Sequence, residues 1–190
     1  MPKIQIFEQN TEGGLKRYKN KMKYRKVRPN EAETIAQIHA KSWQIAYKGI
    51  LTDAFLEHDV WENRREVWQK RFAESAKNEF ICVAVERDVV IGFVCVYGDA
   101  DENWGALIDN LHVLPEFQGH GIGKRLMHEA AKWVMEHYFN TKIHLWVYED
   151  NHAARVFYEK MGGEKVASEY YASADGTSAN TFCYAWKNFN

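Results

Sequence analysis

Residues 107–138 read LIDNLHVLPEFQGHGIGKRLMHEAAKWVMEHY, and the fold is decided by this stretch. An apolar run from Leu107 to Val113 stops at Leu114-Pro115. A glycine-rich turn follows, Gln118-Gly119-His120-Gly121-Ile122-Gly123, and then an amphipathic segment with Ile122, Leu126, Ala130 and Val134 at four-residue steps. The order is strand, glycine-rich turn, helix. Glycines let several backbone N–H groups crowd at a helix start, and the helix dipole adds partial positive charge, so such a turn can hold a phosphate or pyrophosphate. Lys124 and Arg125 put formal positive charge in the first turn, against the dipole, which an anionic partner would explain.

The spacing separates the known phosphate loops. A P-loop requires Lys followed by Ser or Thr, and Lys124 is followed by Arg125. A dinucleotide fingerprint requires G-x-G-x-x-G, whereas Gly119, Gly121 and Gly123 form G-x-G-x-G. Gln118, Gly121 and Gly123 instead satisfy Q/R-x-x-G-x-G/A. About 30 residues further on, residues 143–163 read IHLWVYEDNHAARVFYEKMGG and carry N-x-x-A-x-x-F-Y-x-x-x-G on Asn151, Ala154, Phe157, Tyr158 and Gly162. The two motifs, in this order, resemble the GNAT (Gcn5-related N-acetyltransferase) superfamily, over roughly residues 22–187. The segment from FYEKMGGEKV to the final YAW resembles a bacterial branch of general acetyltransferases.

The resemblance implies an α/β fold: a mixed, mainly antiparallel twisted sheet with helices on both faces. It implies acetyl-CoA as co-substrate, with the pyrophosphate at Gln118, Gly119, His120, Gly121, Ile122, Gly123 and Lys124. The strand at Leu111, His112 and Val113 should splay from its neighbour at 143–148 and pair with pantetheine, an N–H of Leu111 or Val113 facing the thioester oxygen. Asn151 should reach toward pantetheine, with the small Ala154 leaving room beside Tyr158.

Acyl transfer to an amine needs a neutral amine, a polarised carbonyl and a protonated leaving thiolate. An alkylamine of pKa about 10.4 is mostly charged at neutral pH, so a base helps. A thiol near 8.5 and a phenol near 10 are close enough for proton transfer, and Tyr158 matches the superfamily's general acid. Where many members carry a glutamate, six residues before Val113, this chain has Leu107. Asp109, two residues on and on the same face by strand alternation, is the substitute base or amine anchor. His112 is its rival, sent by alternation to the opposite face.

Composition bounds the rest. The chain has 190 residues, 46% hydrophobic and 27% charged, as expected of a one-domain soluble protein. A net charge of −1 predicts no nucleic-acid and no membrane partner. Cys82, Cys95 and Cys183 fit no metal or redox spacing and read as buried thiols, which points to a cytoplasmic protein. No apolar run suits a membrane span or a signal-peptide core. The eight histidines make no metal-ligand spacing, so no metal is expected.

Residues 1–21 are polar and aperiodic and read as a flexible extension, with the domain over 22–190. Residues 30–48 and 53–75 have helical spacing, with Asn30 as a candidate cap. Trp43 and Tyr47 lie one turn apart and either sandwich an amine or belong to the core. Residues 80–85 and 89–97 form a hairpin, in which Gly92 marks a bulge or close approach. An acidic loop at 98–105 leads into the central strand. Ile143 to Tyr148, apolar on both faces, reads as a buried parallel strand. On the next helix Ala153, Ala154, Phe157 and Met161 should pack inward, with Phe157 facing the core and Tyr158 the cleft, and Gly162-Gly163 ends it. A last hairpin surrounds Asp175-Gly176.

The expected activity is acetyl transfer to a primary amine of a small molecule by direct attack. Asp99, Asp101, Glu102 and Asp109 make a polyamine-like acceptor one candidate. A protein-lysine or N-terminal acetyltransferase and a non-catalytic CoA-binding sensor are the rivals. A homodimer is compatible with the sequence.

Overall fold

β-Branched and aromatic residues in alternation build the first half of the sheet. β1 is Lys23–Lys26, β2 Glu79–Glu86, β3 Val89–Asp101 and β4 Gly105–Val113. The computed structural model describes residues 22–139, 141–187 and 189; the extension expected at 1–21 lies outside them. β2 and β3 are joined by Arg87-Asp88, both at positive φ (49° and 63°), the two-residue turn whose twist suits a hairpin. Gly92 is both features expected of it. The β2–β3 register slips beside it, and a Cβ there would lie 2.8 Å from the His112 carbonyl oxygen.

The second half comprises β5 (Ile143–Tyr148), β6 (Glu164–Ala172) and β7 (Ser178–Trp186), the last two forming the expected hairpin. Strand order is β1-β2-β3-β4-β5-β7-β6, antiparallel throughout except for β4 beside β5. The expected α/β fold, a mixed, mainly antiparallel sheet, is therefore present. α1 (Ala32–Ala46) and α2 (Val60–Ala73) cover one face, with Ile35, Ala36 and Trp68 fully buried against Phe93 and Cys95. α3 (Ile122–His137) and α4 (His152–Lys160) cover the other, where Leu126, Ala130 and Val134 meet Val94, Val96 and Ile108.

Four local expectations change. Asn30 does not cap α1. Glu31 holds the N-cap position without a side-chain cap to α1; its carboxylate instead accepts the Arg28 N–H of the preceding turn at 2.7 Å and the Arg25 guanidinium from β1. Residues 98–101 are strand rather than loop, and the Asp101 carboxylate closes the tight turn into β4 by accepting the N–H groups of Asn103 and Trp104. Ala153, expected to pack inward, is exposed, while Ala154, Phe157 and Met161 pack on the core. β5, read as a buried parallel strand, is mainly antiparallel, with six residues paired to β7 and two to β4. Gly162, at φ +82°, ends α4 as expected. All three cysteines are buried and free. No helix is long and apolar enough to cross a membrane among the described residues.

Candidate active site

The two-residue pairing of β4 with β5 creates the site. Ala106 pairs with Ile143 and Leu107 with His144, and then the strands part. Just beyond, Cys95 of β3 faces Asn110 and Val96 faces Ile108, so Asp109 is an extra residue on β4. Such a bulge bends its strand and increases the local twist. Between the diverging strands lies a cleft of about 790 Å³. Leu111, His112 and Val113 form one wall, Leu145 to Val147 another, with Ala154 and Tyr158 of α4 beside them.

The bulge overturns the assignment of faces by simple alternation. His112 is opposite Phe93, and its Nδ1 is 3.0 Å from Ser42 Oγ on α1. Asp109 reaches Arg71 on α2. Both helices lie on the same face, so Asp109 and His112 do too; one inserted residue breaks the two-residue period between them.

The glycine-rich turn closes one end of the cleft. Gly119 and Gly121 adopt left-handed φ values of 78° and 77°, and a Cβ on either would meet nothing within 4 Å. Gly121 is the N-cap of α3 and supplies no side-chain cap, which leaves the first N–H groups of the helix for another acceptor. Gly119, Gly121, Ile122, Gly123 and Lys124 all line the cleft. Gln118 lines it as well, but its side chain donates to the Val113 carbonyl at 3.0 Å and ties the loop to the end of β4. His120 is exposed outside the lining, its Nδ1 3.3 Å from the Phe117 carbonyl.

The two basic residues of the first turn part company. Arg125 pairs with Glu129 at 2.7 Å and lies over the Tyr24 ring, so no external anion is needed to explain it. Lys124 makes no ion pair among the described residues, although it lines the cleft. An anion at this end would therefore meet uncapped N–H groups, a helix dipole and one free ammonium.

Asn151 caps α4, accepting the Ala154 N–H at 3.2 Å, and it also lines the cleft. Tyr158 stands on the wall, its ring 5.4 Å from Phe157, 6.3 Å from Tyr184 and 6.2 Å from Trp186. Its hydroxyl has no hydrogen-bond partner among the described residues, and burial pushes its pKa up to about 12. The phenol therefore stays protonated over the whole neutral range. Phe157, expected to face the core while Tyr158 faces the cleft, lines the cleft as well.

At the acceptor end, Asp109 lines the cleft with its Oδ2 bonded by Arg71 at 2.6 Å and by Asn110. Oδ1 has no hydrogen bond among the described residues. His112 stacks on His39 at 4.3 Å, and Trp68 donates its indole N–H to His39 Nδ1 at 2.9 Å. Burial, then the nearby Arg64 charge, pushes the His112 pKa down to about 3, so this ring is neutral at any physiological pH. A base that weak is about seven units short of an alkylammonium at about 10.4. Tyr47 lines the cleft, with Trp43 at 5.1 Å and Tyr148 at 4.9 Å from its ring. Trp43 stands behind it, outside the lining, and the Arg64 guanidinium covers its face at 4.2 Å. The pair shares a face as expected, but the two rings do not form an open sandwich. Asp99, Asp101 and Glu102 lie outside the lining.

Sequence reasoning missed Arg64, Arg71, His39 and Ser42. Arg64, Trp68 and Arg71 stand at i, i+4 and i+7 of α2, a helical face legible in the sequence. Among the described residues no cluster of three or more His, Cys, Asp or Glu could hold a metal ion.

Known proteins are similar to this chain. An uncharacterised N-acetyltransferase of Bacillus subtilis, YuaI, is 26% identical over 79% of this chain and 84% of its own length. A spermidine N(1)-acetyltransferase of Thermoplasma acidophilum is 28% identical over 73% of this chain and 85% of its own. The crystal structure of the PaiA N-acetyltransferase of Thermoplasma acidophilum, in complex with coenzyme A, shares the fold with a TM-score of 0.68 at 22% identity, covering 87% of this chain and 98% of that one. The family model described as acetyltransferase (GNAT) matches residues 34–163, from α1 through the parted strands and the glycine turn to the end of α4, and the chain belongs to that family.

Proposed function

We propose that the protein transfers the acetyl group of acetyl-CoA to a primary amine of a small molecule by direct attack. The observation that carries this reading is the parting of β4 from β5, with the uncapped start of α3 at one end of the gap and the Tyr158 phenol on its wall. The residues fit the co-substrate. The N–H groups around Gly119–Gly123 and the Lys124 ammonium would bind its pyrophosphate, and the free edge of Leu111–Val113 would pair with pantetheine. An N–H of Leu111 or Val113 would polarise the thioester carbonyl. The coenzyme A complex of the PaiA relative supports acetyl-CoA as the co-substrate.

Tyr158 would protonate the departing thiolate. Its raised pKa keeps the phenol protonated but widens the gap to a thiol near 8.5 to about 3.5 units; apolar neighbours raise the pKa of the departing thiol as well, which narrows that gap. Asp109 is the proposed anchor for the attacking amine, accepting its N–H through Oδ1 while Arg71 fixes the carboxylate; a carboxylate is, like His112, too weak a base to deprotonate an alkylammonium, so the amine arrives neutral. His112 is too weak a base for an alkylammonium and holds the floor of the site together with Ser42 and His39. No cysteine lines the cleft, so a covalent acyl-enzyme has no candidate nucleophile of that kind.

The test is thiol release from acetyl-CoA over a panel of small amines, a lysine peptide and an N-terminal peptide. Turnover of a small amine well above the peptides is the expected result. Turnover confined to peptides would move the acceptor class to proteins, and tight acetyl-CoA binding without turnover would make the protein a sensor.

A further inference from the structure

β5 carries one residue that its place in the sheet does not explain. The strand lies between β4 and β7, and five of its six residues are buried. The exception is Trp146, which is 37% exposed. A tryptophan has a large apolar surface to hide, and small-molecule clefts are lined with aromatic side chains of this kind. Among the described residues no other ring and no cation lies against the indole.

Trp146 lines the cleft, and its face of β5 is the acceptor side. Tyr148, two residues on and on the same face, packs against Tyr47 at the end of α1 and clusters with Leu51, Leu56 and Val60. Leu145 and Val147 point the other way, into the core beneath α3. Asp109 is also on the α1–α2 face, where Arg71 holds it. Ala106 pairs with Ile143 and Leu107 with His144, and that register, continued two residues, sets Asp109 opposite Trp146. The strands have parted by then, so the carboxylate and the indole stand on the two banks of the gap.

The two banks offer different chemistry. Asp109 accepts an N–H. Trp146 presents a flat, uncharged, apolar face, and an acceptor with an apolar body loses water-exposed surface on both partners by lying against it. A polar body would be dehydrated there without a partner for its hydrogen bonds. A second ammonium would gain only a cation–π contact, since the Asp109 carboxylate is already paired with Arg71.

We propose that Trp146 determines specificity by receiving the apolar body of the acceptor, an arylalkylamine-like molecule, while the amine faces Asp109. The proposal rests on the acetyl-transfer reading above and narrows its substrate class.

The test compares phenylethylamine, ethylamine, glycinamide and linear diamines as acceptors, by thiol release, in the wild type, Trp146→Ala and Trp146→Phe. Phenylethylamine should exceed ethylamine at least ten-fold in kcat/KM, mostly through KM. Trp146→Ala should reduce that ratio to within about two-fold, Trp146→Phe should keep most of it, and the KM for acetyl-CoA should not move. Any of the other amines equal to or better than phenylethylamine in the wild type would overturn the proposal. So would a Trp146→Ala variant that keeps the ratio, or one whose defect lies in the KM for acetyl-CoA, which would give the ring to the co-substrate. If the wild type acetylates none of these amines, the acetyl-transfer reading fails on that result. Calorimetry then decides Trp146 separately, with N-acetyl-phenylethylamine against N-acetyl-ethylamine in the presence of coenzyme A. Tighter binding of the aryl amide, lost in Trp146→Ala, sustains the apolar subsite, and equal or absent binding of the two overturns it.

Discussion

Replacing Tyr158 by phenylalanine tests the chemistry at one atom. The ring packs at 5.4–6.3 Å from Phe157, Trp186 and Tyr184, and the phenylalanine ring keeps those contacts. The hydroxyl has no hydrogen-bond partner among the described residues, so no polar group loses its mate, and stability should change by no more than about 0.5 kcal/mol. If the hydroxyl protonates the thiolate, the loss falls on the transition state alone. A general acid contributes about 10²–10⁴-fold, so kcat should fall by that factor, equivalent to about 2.7–5.5 kcal/mol. Acetyl-CoA affinity should stay within about two-fold. The pH profile adds a check. With its pKa raised by burial to about 12, Tyr158 produces no basic limb below about pH 10 in the wild type, and the variant should be slower at every pH by a nearly constant factor. Steady-state kinetics from pH 6 to 10, with acetyl-CoA calorimetry, measures all three quantities. A variant with turnover within three-fold of wild type, or one whose whole defect lies in acetyl-CoA binding, would refute the proton-donor role.

Gly121→Val should weaken acetyl-CoA binding at least ten-fold, because a branched side chain is strained at φ +77° and would occupy the part of the cleft that the uncapped start of α3 borders; unchanged calorimetric affinity in the folded variant would remove Gly121 from the pyrophosphate site. Gly163→Ala should destabilise by about 1–3 kcal/mol, several degrees in Tm, since its Cβ would lie 2.6 Å from a Trp186 ring that is buried and bonded to the Met161 carbonyl. Asp109→Asn should cost about 1 kcal/mol at a partly exposed ion pair and reduce kcat/KM for the acceptor by more than ten-fold; an unchanged acceptor kcat/KM would leave the pair with Arg71 a structural role only. His39 and His112 are both held neutral by burial, their pKa values depressed below the unfolded value near 6.5, so the stability they contribute is complete above that pH and falls away as pH drops toward about 3, the folded value of His112. NMR of the His112 ring should show no titration between pH 5 and 8, and a midpoint near 6.5 would contradict its enclosure.

The sequence by itself determined the family, the strand–turn–helix around Gly121 and the second motif ending at Gly162, because these depend on local backbone geometry. Only glycine is at ease at φ +77° and +82°, and a four-residue apolar step reads the same in any context. It also placed Tyr158 and Asn151, whose spacing from Gly162 is a property of one helix. The tertiary structure alone decided which side chains share the acceptor end. One bulged residue at Asp109 reverses the alternation that had separated it from His112, and a bulge is a matter of pairing between strands rather than of propensity within one. Charge was likewise undecided before folding. Asp101 closes a turn, Arg125 answers Glu129, Arg71 answers Asp109, and Arg64 faces a neutral amide. A charged side chain has no fixed partner along the chain. Contacts between distant elements settle whether it is neutralised, and among the described residues they leave Lys124 without an ion pair at the glycine turn and Arg64 without one on α2.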